Sequence, residues 1–252
     1  MVIILLFGAI LGSFLNVCIY RLPRKESIMW PSSYCPHCKS SIPIWYNVPI
    51  ISYIILGGKC NYCKNKIPIS YPIVEIMTGV LLVLVWQHYG LSLSFMQYSI
   101  LVLLLLTISF IDFNHKLILN VLTLPGIAVG LTLSLLLNLT SISQALLGLF
   151  LGSGFLWLVG LFGKLLFKQD SMGGGDIKLG AMIGVFIGPQ VLIAVFVAFF
   201  LALPVIAIGL SSGRLRIGNT LPFGPFISLG TIIIICFGQP LYQMYFRFLG
   251  YL

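Results

Sequence analysis

The chain is poor in charge and poorest in acid. Only 8% of its 252 residues are charged and only five are acidic, while 59% are hydrophobic and the mean hydropathy is +1.10. Soluble globular proteins carry roughly 25% charged residues, so the composition excludes a soluble domain and points to an integral membrane protein. Short segments of alternating polarity are also missing, which argues against a membrane β-barrel. The apolar residues fall instead in runs near twenty long. Spanning helices satisfy every backbone N–H and C=O within each such run. The first run, Val2 to Ile19, has no basic residue ahead of it. A cleavable signal peptide is basic before its apolar stretch, so this run reads as a retained transmembrane helix with its N-terminus outside. No sequence repeat, low-complexity tail or glycine-rich dinucleotide fingerprint after a strand is visible. The formal charge of +9 is spread between apolar runs, as topology determinants are, and does not argue for nucleic acid.

The expected fold is an all-α polytopic membrane protein of about eight transmembrane helices, with a small cytoplasmic zinc-binding module after the first. The remaining runs lie near 73–88, 95–111, 117–137, 142–167, 177–188, 191–210 and 223–245. The run at 177–188 is short for a hydrocarbon core of ~30 Å, so a half-span there, and seven spans rather than eight, stays open. Alternation from an outside N-terminus puts Lys116, Lys164, Lys168, Lys178, Arg214 and Arg216 in the cytoplasm and only Arg247 outside. Residues 20–71 are the one long polar stretch. Seven basic residues (Arg21, Arg24, Lys25, Lys39, Lys59, Lys64, Lys66) face one acid, Glu26, so the stretch reads as cytoplasmic. Prolines at 31, 36, 43, 49, 68 and 72 exclude a long helix there. The expected division is a first span at 1–19, a zinc module at 20–71 and a transmembrane catalytic domain at 72–252. Small residues spaced by four, Gly8/Gly12, Gly148/Gly152 and Gly180/Gly184/Gly188, read as close helix packing.

Of six cysteines, Cys18 and Cys236 lie within apolar runs and read as small core residues. The other four form Cys35-Pro36-His37-Cys38 and Cys60-Asn61-Tyr62-Cys63. Two C-x-x-C knuckles at this separation suit a tetrahedral structural zinc with four protein ligands and no open position. Two disulfides are the alternative, which a reducing cytoplasm disfavours.

With so few acids, each must be accounted for. Glu26 and Asp170 sit in polar, loop-like surroundings. Glu75, Asp112 and Asp176 sit at the ends of apolar runs, where a charge is costly and is a functional hypothesis by default. Asp176 follows Gly173-Gly174-Gly175, and the expected topology brings Asp112 and Asp176 to the same side. Two carboxylates there suggest hydrolysis, one ionised to activate water and one protonated to donate to a carbonyl oxygen. The glycines offer unusual torsions and close approach of a substrate chain. The plainer readings are an N-cap at Asp176, or pairing of either aspartate with Lys116 or Lys178. Glu75 has its own plain reading, an anion in the first turn of a helix opened by Pro72. Asn16 reads as an interhelical hydrogen bond, and Arg21 as a snorkelling anchor.

These blocks, in this order, resemble the prepilin peptidases, also called type IV leader peptidases. The match runs through Gly12 to Pro23, the paired C-x-x-C module with Trp45-Tyr46-Asn47-Val48-Pro49 between, Tyr71-Pro72-Ile73-Val74-Glu75, Asp112 through Leu122-Thr123, and Gly173 to Leu179, with a late Pro222-Phe223-Gly224-Pro225. The resemblance implies a Gly-x-Gly-Asp intramembrane aspartyl protease of the bacterial inner membrane, with Asp112 and Asp176 catalytic. It implies removal of the basic leader from a type IV prepilin or pseudopilin at the cytoplasmic face. It further implies methylation of the new N-terminus from S-adenosylmethionine, for which Glu75, Asn16 and Arg21 are candidates. One departure is Ile118-Leu119-Asn120, where the family often reads Pro-Asp. Membrane lipid is the other expected partner. Two competing functions are a transporter relaying protons or ions through its carboxylates, expected to carry acids near mid-span, and a membrane-tethered zinc adaptor that tolerates loss of both aspartates.

Overall fold

The computed structural model describes residues 1–137, 140–167, 172–213 and 221–248, with side chains in the last helix followed to residue 238. Lys168, Asp170, Arg214 and Arg216 lie outside the described residues, as does the side chain of Arg247. The described residues are helical throughout, apart from turns and two isolated bridges. The helices are α1 (Val2–Arg21), α2 (Ile51–Ile55), α3 (Ser70–Tyr89), α4 (Leu93–His115), α5 (Asn120–Leu137), α6 (Ile142–Phe167), α7 (Gly174–Ile187), α8 (Val191–Ser211) and α9 (Gly224–Phe248). All but the five-residue α2 coincide with the eight apolar runs. Six described stretches are long and apolar enough to cross a membrane: Val2–Arg24, Ser70–Tyr89, Leu93–His115, Asn120–Leu137, Ile142–Leu166 and Gly174–Ser211.

The last of these is two helices. Gly188 adopts φ 64° and ψ −148°, open only to glycine, and Pro189 follows in a 3-10 turn. The chain therefore turns after fourteen residues of α7. At 1.5 Å per residue α7 is about 21 Å long, short of a ~30 Å core, which is the half-span left open by the sequence.

The chain divides into two compact units, Met1–Gln87 and His88–Leu252. The first contains α1, the 22–69 loop with α2, and α3. Its two long helices cross on bare backbone: a Cβ on Gly8 would lie 2.6 Å from Gly79 Cα, and one on Gly12 would lie 2.7 Å from Glu75 Cα. In the second unit α7 packs most extensively on α6. Gly148 lies against Gly184 and Gly152 against Gly180, so closely that a methyl group on any of them would strike the facing carbonyl. The small-residue spacing is thus packing, as in lipid, where close van der Waals contact replaces a hydrophobic drive. Leu105, Ile108 and Ile111 of α4 are fully buried with Leu179, Met182, Ile183 and Phe186 of α7 and Ile227 of α9. At the far end of α7, Gln97 Nε2 donates to the Phe186 carbonyl at 2.9 Å and to Thr140 Oγ1 at 3.1 Å. Thr140 donates to the same carbonyl at 3.2 Å.

Candidate active site and metal centre

Asp112 lies in the last turn of α4 and is 5% exposed. That helix ends at Lys116 in the left-handed conformation, whose N–H returns to the Asp112 carbonyl at 2.7 Å. Asp176 is the third residue of α7, in the first turn, where the helix dipole favours an anion. Helices α4, α7 and α9 pack on one another, with Asp112 in the last turn of α4 and Asp176 in the first turn of α7. The two aspartates are therefore brought together within one unit.

Asp176 is not the residue that caps α7. The N-cap is Gly173, and Asp176 makes no side-chain cap. Lys178 donates instead to Asn120 Oδ1 at 2.8 Å, joining the starts of α5 and α7. Asp176 Oδ1 is buried without a hydrogen-bond partner, one of three such side-chain oxygens among the described residues, with Ser99 Oγ and Ser228 Oγ. A buried acceptor without a donor is expensive, and near a second carboxylate it is a place for a water or a substrate group. The glycines act by lacking side chains rather than by unusual torsions. Gly173 has an ordinary φ of −76°, and Gly174 and Gly175 are already helical. A Cβ on Gly175 would lie 2.8 Å from Ile118 Cβ, whereas Gly174 faces open space.

One participant was not singled out from the sequence. Gly224 opens α9, and its N–H donates to Asp112 Oδ2 at 2.9 Å. A Cβ there would lie 2.7 Å from that oxygen. The readable signal was Gly224-Pro225: proline suits a first helical turn, and the first N–H groups of a helix have no partner inside it.

In the other unit the four cysteines converge, with all ligand atoms within 4.8 Å of one another. Cys35 and Cys63 sulfurs lie 3.8 Å apart, and Cys38 and Cys60 sulfurs 4.0 Å. Disulfide sulfurs would be ~2.05 Å apart. Tetrahedral zinc with bonds of about 2.3 Å needs sulfurs about 3.8 Å apart, so the donor set fits zinc. The two knuckles are built alike. Bridge Tyr34–Ser41 closes one and Lys59–Lys66 the other. Cys35 N–H binds the Ser40 carbonyl and Cys60 N–H the Asn65 carbonyl, and Lys39 and Lys64 both take φ near 60°. Hydrogen bonds with Ser40 pull the Cys38 thiol down to about 6, ready for a cation.

The three remaining candidates brace this unit. Asn16 Nδ2 donates to the Tyr71 carbonyl at 3.0 Å, tying α1 to the start of α3. Arg21, 4% exposed, donates to the carbonyls of Ser27, Pro31 and Ser32 at 2.9, 2.9 and 3.2 Å. Glu75 Oε2 accepts the Ile50 N–H at 2.8 Å. Arg21 is thus an organiser of a loop rather than a snorkelling side chain.

Comparison with known proteins places the chain in a family. The Bacterial Peptidase A24 N-terminal domain matches residues 6–89, and the Type IV leader peptidase family matches residues 99–208. A protein of Neisseria gonorrhoeae named prepilin leader peptidase/N-methyltransferase is 36% identical over 90% of this chain and 87% of its own. One of the same name from Pseudomonas aeruginosa is 32% identical over 98% and 93%. A third, from Stutzerimonas stutzeri, is 32% identical over 97% and 93%. No solved structure matches the chain. With both halves matched and full-length relatives above 30% identity, the chain belongs to the type IV leader peptidase family.

Proposed function

We propose that this protein is an intramembrane aspartyl endopeptidase that removes the leader of a type IV prepilin or pseudopilin and then methylates the new N-terminus. The observation that carries the reading is the pairing of Asp112 and Asp176 at the ends of two spans, with Gly224 N–H on one and an unpartnered oxygen on the other. One carboxylate takes a proton from water as the water oxygen bonds to the scissile carbonyl carbon. The other, protonated, donates to the carbonyl oxygen. The C–N bond then breaks. The proton first taken from water goes to the leaving nitrogen, and the second carboxyl regains its own from the diol. The dyad titrates as a pair, so neither role is given to one residue. Gly224 N–H holds Asp112 in place, Gly174 leaves the approach open, and Gly175 admits Ile118 beside Asp176.

Cys35, Cys38, Cys60 and Cys63 would hold a structural zinc that shapes residues 20–71 between the first span, 1–19, and the protease domain, 72–252. S-adenosylmethionine would supply the methyl group. Glu75, Asn16 and Arg21 remain our candidates near its site, and no step is derived through them. The basic loop supports placing the zinc module at the cytoplasmic face of the bacterial inner membrane. Lys116 and Lys178, flanking the two aspartates in sequence, support the same face for the dyad. A transporter finds no support, since both acids sit at span ends and not at mid-span.

The test is cleavage of a purified prepilin in detergent by wild type, Asp112→Asn and Asp176→Asn, with mass spectrometry of the product N-terminus. Both variants should lose cleavage while keeping zinc. Wild type with S-adenosylmethionine should add one methyl mass. Equal cleavage by Asp176→Asn would sink the aspartyl mechanism.

A further inference from the structure

Residues 44–55 lie in the polar loop of the first unit, yet their surface is apolar. Ile44 is 85% exposed, Trp45 71%, Ile54 70% and Ile55 73%, and Val48 and Ile51 are exposed beside them. Of its polar side chains, Asn47 is exposed among these apolar ones and Ser52 faces inward. Ser52 is buried; its hydroxyl accepts the Val48 N–H at 3.0 Å and donates to the Trp45 carbonyl at 3.3 Å. The backbone is closed on itself. The N–H groups of Tyr46, Asn47, Ile51, Ser52, Ile54, Leu56 and Gly57 all bind carbonyls between Pro43 and Ile54. A short soluble loop can leave such groups to water. A segment lying where water is scarce cannot.

Its depth is set by a second span. Ile50 N–H is held by Glu75, five residues into α3 from Ser70. At 1.5 Å per residue that is about 7.5 Å along the spanning helix. The hold is under strain: Ile50 sits at φ 63° and ψ −51°, and Ile51 N–H reaches the Pro49 carbonyl at 2.6 Å. This is a γ-turn of the rare positive-φ kind, costly for a β-branched residue. The turn starts α2, whose Ile51, Ile54 and Ile55 all end up on the outside. In the same polar loop Lys25, Lys39, Lys59, Lys64 and Lys66 are exposed, with Glu26 the only acid between residues 20 and 71.

We propose that residues 44–55 are a membrane-interfacial element: Trp45, Ile51, Ile54 and Ile55 enter the boundary between headgroups and acyl chains of an anionic bilayer. The exposed lysines of the module meet the anionic headgroups. Lipid is the occupant the observations favour, because a membrane span fixes the depth, the flanking charge is of one sign and complementary, and a tryptophan with exposed isoleucines suits that layer. The module is then seated on the bilayer through its own surface as well as through α1 and α3. This goes beyond the peptidase reading and does not depend on it.

The test uses the full chain with Trp30, Trp86 and Trp157 replaced by Phe, leaving Trp45 as the only tryptophan. It is placed in nanodiscs of phosphatidylcholine and phosphatidylglycerol, with and without bromine near the carbonyl end of the acyl chains. The expected result is a blue-shifted Trp45 emission, loss of that emission with the brominated lipid, and protection from acrylamide. Replacing Lys59, Lys64 and Lys66 with Gln should lessen the loss in phosphatidylglycerol discs and leave it unchanged in pure phosphatidylcholine. Trp45 emission that bromine leaves intact and acrylamide quenches would overturn the proposal. Shielding that arises only on adding a prepilin peptide, or only at high protein concentration in detergent, would overturn it too, in favour of substrate or a second copy. If the triple replacement loses zinc, the same reading is taken by difference between wild type and Trp45→Phe. No cleavage is measured, so failure here and failure of the peptidase assay are separate results.

Discussion

The two units use their buried charged side chains in opposite ways. In the first, Arg21 and Glu75 each bind backbone of the same unit, as Asn16 does, and Arg21 alone reaches three carbonyls. In the second, Asp176 keeps an oxygen with no partner, and Asp112 has one backbone donor, Gly224. A satisfied polar group fixes a shape, whereas an unsatisfied one beside a like charge is held ready for something that is not protein. The difference separates bracing from chemistry without reference to conservation.

The comparison breaks most severely at the dyad. Asp112→Asn and Asp176→Asn should each lower cleavage by at least about 10²-fold, the scale of acid–base catalysis, with zinc content and helical circular dichroism unchanged. Gly224→Ala comes next. Its Cβ would crowd Asp112 Oδ2, and a displacement on the order of 1 Å can cost roughly 10²-fold, so kcat should fall more than KM rises. Removing the metal sharpens the contrast from the other side. Cys35→Ser, or a strong chelator, should expose residues 20–71 to limited proteolysis, yet reduce cleavage far less than any change at the dyad. Glu75→Ala should release the strained turn at Ile50. Loss of a hydrogen bond to a charged group costs about 1.5–3 kcal/mol, read as faster amide exchange at Ile50 and Ile51. Smallest of all is Asn120→Asp, which makes the contact to Lys178 an ion pair. Exposed pairs contribute about 0–1 kcal/mol, so a small rise in Tm with unchanged cleavage is expected.

Much of this was open to reading from the residues. The apolar runs named the long helices because a chain in lipid must satisfy its backbone within each segment. The aspartates could be paired because alternation of spans put them on one side. The cysteine cluster could be read because the spacing of the paired knuckles lets four thiolates converge. Other features left a fainter trace or none. Gly224 acts through a backbone N–H, which has no side-chain signature. The contact from Glu75 to Ile50 joins residues far apart in sequence, across a turn no propensity would place at an isoleucine. The loop at 20–71 looked uniformly polar because its lysines dominate the count, while the apolar surface of 44–55 appears only once Ser52 is seen to face inward. Its two knuckles share their cysteine spacing and following lysine as letters, and the structure adds matching hydrogen bonds and a matching lysine φ.

The break at Gly188 makes α7 a ruler. Its far end is clamped where Gln97 and Thr140 hold the Phe186 carbonyl, and its side is keyed into α6 at Gly148 and Gly152. The position of Asp176 is thus counted off from a fixed stop about ten residues away. Each residue added to that count turns the helix by about 100° and lifts its start by about 1.5 Å, enough to swing the carboxylate off its partner with every side chain of the dyad intact. The length of an apolar helix is, in this protein, as much a part of the catalytic apparatus as the acids it carries.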